Sequence, residues 1–207
     1  MAVSKVHPVE ALLEAYAAGH RLFGENRVQE WQGKAEALAT SHADVRAGLQ
    51  MHLIGPLQNN KTTRAAELFD AVDSIVELKT AQRLNETAAK LGRVLPILIE
   101  VKLSHEESKH GLAPDELPAL LAALEPLANI RVAGLMTVPP FTEDPEGARP
   151  YFRQLRMLRD TNQHLCPTLT ELSMGMSHDY RVAIEEGSTC VRVGTAIFGQ
   201  RIYPPAV

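Results

Sequence analysis

The chain has 207 residues, 45% of them hydrophobic and 22% charged, with a formal net charge of -4. That is enough apolar material for one large domain or one α/β barrel, and the ordinary charge content excludes a fibre or a disordered chain. The mild acidity, with a pI near 6.1, excludes the broad basic face of a nucleic-acid binder but leaves room for a local basic pocket around one phosphate.

Short apolar runs alternate with longer helical patterns, which is the order of βα units and a parallel sheet. The first run is Ala2-Val3-Ser4 and ends on Lys5. Pro8 opens a helical stretch through Ala15, and Gly19 closes it. A second strand is expected around Arg21–Gly24, with a helix from Asn26 to Leu38. Thr40 to Gln50 is polar and reads as a helix end plus a loop. His52–Gly55 is the third strand; Pro56–Lys61 forms a loop, and a helix reaches Leu68. Ala71–Val76 is the fourth strand, followed by a helix from Lys79 to Leu91 that stops at Gly92. The fifth strand, Val94–Leu103, carries a nearly continuous apolar run, suited to a sheet covered by helices. A polar loop, Ser104–Gly111, leads to a helix over Pro114–Leu124. Ile130–Thr137 is the sixth strand. Pro139-Pro140 opens a loop, and Pro150 starts a helix to His164. Leu169–Met174 is the seventh strand, with a helix over His178–Glu186 ending at Gly187. Cys190–Val193 is the eighth.

Eight strands with helices between them give the count of a closed (β/α)8 TIM barrel, an α/β fold, in one domain over residues 1–207. A doubly wound open sheet is the competing arrangement, because periodicity does not show closure. Cys166 and Cys190 are too few for a disulfide framework and are expected as reduced, buried thiols. The eight histidines form no HExxH or paired CxxC pattern. His105 and His110, near acids, read as polar loop, and no metal is expected. No apolar run approaches the ~18 residues of a membrane span, and Met1–Pro8 lacks the order of a signal peptide. A cytoplasmic location is expected.

Barrel chemistry sits at the C-terminal ends of the strands. The segments there are Lys5, Gly24-Glu25-Asn26, Gly55–Lys61, Ser104–Lys109, Met136-Thr137, Ser173–Ser177 and Gly194-Thr195. In Ser173–Ser177, Gly175 is expected to let the backbone approach a ligand, and Ser177 to cap a helix whose amides face an anion. A tight turn with a cap is the ordinary reading of that segment alone. With Gly194-Thr195 in the neighbouring loop, a phosphate site between the last two strands is favoured. Asp179 is the discordant charge nearby. A lysine such as Lys5 is ordinarily a solvated strand end, but desolvation in a barrel mouth would lower its pKa and suit it to a Schiff base with an aldehyde. Lys61, Lys102 and Lys109 are rivals at the same rim. Arg192, between Val191 and Val193, is expected inside the barrel, where it needs an acceptor: a carboxylate, or a ligand nitrogen that it would keep unprotonated.

These segments together resemble the pyridoxal 5'-phosphate (PLP) homeostasis proteins, also known as proline synthetase co-transcribed proteins. The matching stretches are Ala2–Lys5, Phe23–Glu30, His52–Lys61, Glu107–Leu112, Gly134–Met136, Leu172–Ser177 and Val191–Gly199. The resemblance implies a single barrel of the alanine racemase N-terminal-domain type, with PLP as cofactor. It implies that Lys5 carries PLP as a Schiff base, that Ser173, Ser177, Gly194 and Thr195 hold the phosphate, that Arg192 faces the pyridine nitrogen and that Asn26 lies beside the cofactor. His52, Met136 and Gly175 are expected to complete the cofactor-binding set, with no catalytic residue. The implied role is intracellular PLP (vitamin B6) homeostasis without established turnover. Apo forms of PLP-dependent enzymes are candidate partners, no nucleic acid or membrane is expected, and the chain is a monomer or weak dimer.

Two departures stand out. Relatives usually carry a helix ahead of the first strand, whereas the first strand is expected here almost at Met1, so that the start is either truncated or misassigned or this form lacks that cover; and Lys102 stands where many relatives have asparagine. The alternative function is a PLP-dependent amino-acid racemase. It needs acid/base groups on both faces of the substrate carbon, and in the resembling racemases a second domain supplies one, which these 207 residues are not expected to hold beside the barrel. A barrel for some other phosphorylated metabolite is the third reading.

Overall fold

The computed structural model describes residues 1–104 and 110–200. Eight parallel strands run in sequence order, each paired with the next. They are β1 (Ala2–Val3), β2 (Leu22–Glu25), β3 (Gln50–Leu53), β4 (Ala71–Ile75), β5 (Leu95–Glu100), β6 (Ile130–Met136), β7 (Glu171–Met176) and β8 (Cys190–Arg192). The ends of the sheet meet. Ala2 bridges Val193 in parallel, the Val3 amide donates to the Val193 carbonyl at 2.9 Å, and the Val193 amide donates to Met1 at 3.0 Å. The barrel is therefore closed by a short seam, and the open sheet is excluded.

The helices are α1 (Val9–Ala17), α2 (Val28–Ser41), α3 (Ala43–Gly48), α4 (Thr62–Leu68), α5 (Leu78–Lys90), α6 (Leu117–Leu124), α7 (Arg149–Asn162), α8 (Tyr180–Glu185) and α9 (Thr195–Phe198). α3 lies in the polar stretch expected as a loop, and α9 in a tail where no element was expected. β7 runs two residues beyond its expected end, so α8 starts later. No helix among the described residues is long and apolar enough to cross a membrane. Cys166 and Cys190 are free thiols, only partly buried rather than fully so.

Alternation along β5 explains where the site can be. Leu95, Ile97, Ile99 and Val101 join the main core beneath the helices, whereas Leu98 packs in a separate small cluster with Ala133 and Met136. Successive strand residues point to opposite faces, so Leu98 and Glu100 face the lumen. The main core is held at its edge by Trp31 of α2, fully buried, whose indole N–H donates to Leu68 of α4 at 3.0 Å. The lumen differs from the aliphatic layers that fill many such barrels. His52, Asp73, Glu100, Ser173 and Arg192 bring polar groups into it.

Candidate functional site

A cavity of about 470 Å³ opens at the C-terminal ends of the strands. Lys5, Asn26, Ser177, Arg192, Gly194 and Thr195 line it, joined by Ile54, Gly55, Glu100, His110, Val138 and His178. Lys5 is the one lysine among the described residues of its wall. Lys61 and Lys102 are not in that wall, and Lys109 and His105 lie outside the described residues.

Each lining residue is set by local chain geometry. β1 ends at Val3, and the Ser4 amide still pairs with the Gly24 carbonyl at 3.1 Å. A turn then lifts Lys5 over the rim. Asn26 follows β2, and Gly55 follows β3 directly beside it: a Cβ on Gly55 would lie 2.9 Å from Asn26 Cα. Glycine is what allows these two loops to touch.

Arg192 is nearly fully buried, at 5% exposure. Its Nη1 donates to Ser173 Oγ at 2.8 Å, and its Nη2 donates to the Thr137 carbonyl at 2.8 Å. Both acceptors are neutral. Among the described residues no carboxylate hydrogen-bonds this guanidinium, so the carboxylate partner considered from sequence is not what holds it. Two of its five N–H groups are occupied in this way. Burial works against the Arg192 charge, with Asp73, Cys190, Glu100 and Asp179 opposing that effect. The result is a fixed positive group in the wall of a concave site. Ser173 is fully buried behind it as its acceptor and does not line the cavity.

The segment between β7 and α8 differs from expectation in two ways. Gly175 has φ +94°, and a Cβ there would lie 2.5 Å from Ala183 Cβ and 3.1 Å from Tyr180 Cα. The glycine makes room for α8 to pack on its own strand, not for a ligand. Ser177 does not cap α8, which begins at Tyr180 after Asp179. Asp179 instead accepts the Met176 amide at 2.6 Å. Ser177 Oγ accepts the amides of Gly194 and Ala196 at 3.2 and 3.4 Å. A hydroxyl and two backbone N–H groups thus converge from the loops after β7 and β8. An anion oxygen is suited to the same donors.

Glu100 was not singled out from sequence. It is buried in the cavity wall at the end of β5. Burial pushes its carboxyl above the ordinary range, and the charges of Arg192 and His110 only partly offset this. The available signal was a lone acid at an inward-facing position of an apolar strand.

His52 and Met136 are inside the barrel but not in this cavity. Met136 is fully buried against Leu98 and Ala133. His52 Nδ1 pairs with Asp73 Oδ1 at 3.0 Å, nearer the opposite mouth, among Gln50, Asp70 and Glu171. Burial lowers the His52 pKa. The hydrogen bond and charge of Asp73, with Glu171 and Asp70, outweigh it, so the net shift is upward. A raised folded-state value means that the pair stabilises fully below pH about 6.5 and loses this as pH rises through the folded pKa. Melting temperature is expected to fall from about pH 6 to about pH 8, and Asp73→Asn is expected to flatten that slope. An unchanged slope in the variant would assign the pH dependence elsewhere.

The chain is similar to several known proteins. The family profile described as "Alanine racemase, N-terminal domain" matches residues 1–202. The Pyridoxal phosphate homeostasis protein of Vibrio alginolyticus is 45% identical over 203 residues, covering 98% of this chain and 86% of that protein. The Escherichia coli K12 protein of the same description is 41% identical over 209 residues, with 98% and 86% covered. The structure of PipY from Synechococcus elongatus PCC7942 with PLP bound superposes with a TM-score of 0.88 at 41% identity, covering 96% of this chain and 91% of that one. Alanine racemase of Clostridium difficile 630 in complex with cycloserine shares the fold, with a TM-score of 0.74 at 16% identity over 98% of this chain and 54% of that one.

Proposed function

The chain belongs to the pyridoxal phosphate homeostasis protein family, and from that premise we propose that it binds PLP in the cavity at the C-terminal end of the barrel. The observation that carries this reading is the donor set at that wall among the described residues: one lysine, one buried guanidinium without a hydrogen-bonded carboxylate, and two amides converging on Ser177. When bound, PLP supplies an aldehyde that condenses with a primary amine, with loss of water, and a phosphate that needs hydrogen-bond donors. The residues present suit both ends.

Lys5 supplies the amine. Ser177, Gly194 and Thr195 supply hydroxyl and amide donors for the phosphate, with the Gly194 and Ala196 amides redirected from Ser177 Oγ. Arg192 would face the ring nitrogen and donate to it. A guanidinium stays protonated, so it keeps that nitrogen unprotonated and the ring a weak electron sink. That chemistry suits holding the cofactor more than turning over an amino acid. Asn26 would lie beside the cofactor. Ser173 acts from behind, by fixing Arg192, and Gly175 by admitting α8. The role is PLP homeostasis: a reservoir or delivery protein, as one barrel domain, for apo forms of PLP-dependent enzymes.

Thermal melting with PLP against ribose 5-phosphate tests this. A ligand at a hundred times its Kd stabilises the folded state by about 2.7 kcal/mol, a rise of roughly 5–10 °C for a chain of this size. PLP is expected to give a saturating rise and the sugar phosphate little. Equal shifts would return the cavity to a general phosphate site, and robust racemisation of an amino-acid panel would overturn the non-catalytic role.

A further inference from the structure

Lys34 lies on α2 outside the cavity wall, and it is 9% exposed. Its Nζ donates to the Ser4 carbonyl at 3.0 Å, to Glu25 Oε1 at 2.8 Å and to Glu30 Oε1 at 2.9 Å. Ser4 Oγ donates to the same Glu25 oxygen at 2.7 Å. The Val6 amide donates to the same Glu30 oxygen at 2.5 Å. The two residues that flank Lys5 are thus both tied to one ammonium group, Ser4 directly and through Glu25, Val6 through Glu30.

Two further observations show that these ties act under load. Val6 has φ +60° and is the one non-glycine residue with positive φ among the described residues. A β-branched side chain in the left-handed region is strained and persists only where the surroundings over-determine it. Among the described residues, Glu25 Oε2 is buried without a hydrogen-bond partner, and the carboxylate is held at Oε1 by Lys34 and Ser4. Packing α2 on the barrel does not require such a cluster, since well-packed apolar side chains often replace a buried ion pair at no loss of stability. What the cluster adds is a fixed backbone at one point of the chain, and that point is Lys5.

We propose that Lys34 is a positioning residue: through Ser4, Glu25 and Glu30 it holds the Ser4–Val6 turn so that the Lys5 amine projects into the cavity. This rests on the reading of Lys5 as the PLP-linking amine. Without Lys34, the turn relaxes at Val6 and Lys5 loses its advantage over the other rim lysines.

Timed labelling tests it. Wild type, Lys34→Met and Glu30→Ala are mixed with PLP, reduced with borohydride at intervals, and mapped by peptide mass spectrometry, with melting curves in parallel. Lys34→Met is expected to acquire label on Lys5 at least about ten-fold more slowly, since a displacement near 1 Å can cost about a hundred-fold. Its label is also expected to spread to Lys61, Lys102 and Lys109. Glu30→Ala is expected to shift in the same direction by less. Glu30 is partly exposed, so this variant decides the matter if Lys34→Met does not fold. Lower melting temperatures with wild-type rate and wild-type selectivity at Lys5 would reduce Lys34 to a structural role and overturn the proposal. Absence of label on Lys5 in the wild type would remove the reading of the cavity, and this inference with it.

Discussion

Lys5→Ala is expected to abolish covalent retention of PLP while leaving the fold intact. Lys5 is the lysine among the described residues of the cavity wall, and it is only partly buried at the end of a turn. Its truncation removes no core packing and is expected to change stability by no more than about 1 kcal/mol, the ordinary range for such positions. The donors around Ser177, Gly194 and Arg192 remain, so weak, dialysable PLP binding is expected to persist. The check is the visible absorbance of protein-linked PLP after dialysis. Wild type is expected to retain it and the variant to lose it. Retention by the variant would move the linkage to Lys61, Lys102 or Lys109.

Arg192→Leu is expected to damage both binding and stability. The variant leaves Ser173 Oγ and the Thr137 carbonyl without the donors that now reach them at 2.8 Å. Each buried, unsatisfied group costs about 1–3 kcal/mol, so denaturant midpoints are expected to fall. It also removes the charged donor proposed for the ring nitrogen. A hydrogen bond to a charged group contributes about 1.5–3 kcal/mol, and about 1.4 kcal/mol is a factor of ten, so PLP affinity is expected to fall about ten- to hundred-fold. Arg192→Lys is not expected to rescue it, because an ammonium cannot reproduce two forked donors plus a third. A wild-type Kd in Arg192→Leu would exclude Arg192 from the site.

The alternation of strand and helix patterns was enough to read the barrel, because several helices stop at a glycine, as at Gly19, Gly92 and Gly187. Closure was not legible from periodicity, since it rests on hydrogen bonds that join Met1 and Val3 to Val191 and Val193, far apart in sequence. Of the expected site, Lys5, Asn26, Ser177, Arg192, Gly194 and Thr195 meet in one wall. They are residues at or just past strand ends, and position relative to a strand end is readable. Depth inside the barrel is not. His52 and Met136 share the inward parity of site residues but sit in lower layers, with Asp73 and Leu98 respectively. Gly175 has the conformation that its sequence suggested, yet the atoms it makes room for belong to α8. Glu100 was hidden in an apolar strand, and Lys34 on a helix face that reads as solvated. Three-dimensional hydrogen bonding, not spacing, assigns Lys34 to the turn that carries Lys5.

The most direct test of the central claim is a crystal structure of the protein grown with PLP. The account predicts continuous density from Lys5 Nζ to the cofactor, the phosphate against Ser177, Gly194 and Thr195, and the ring nitrogen facing Arg192. PLP joined to another lysine, or seated away from this cavity, would contradict it.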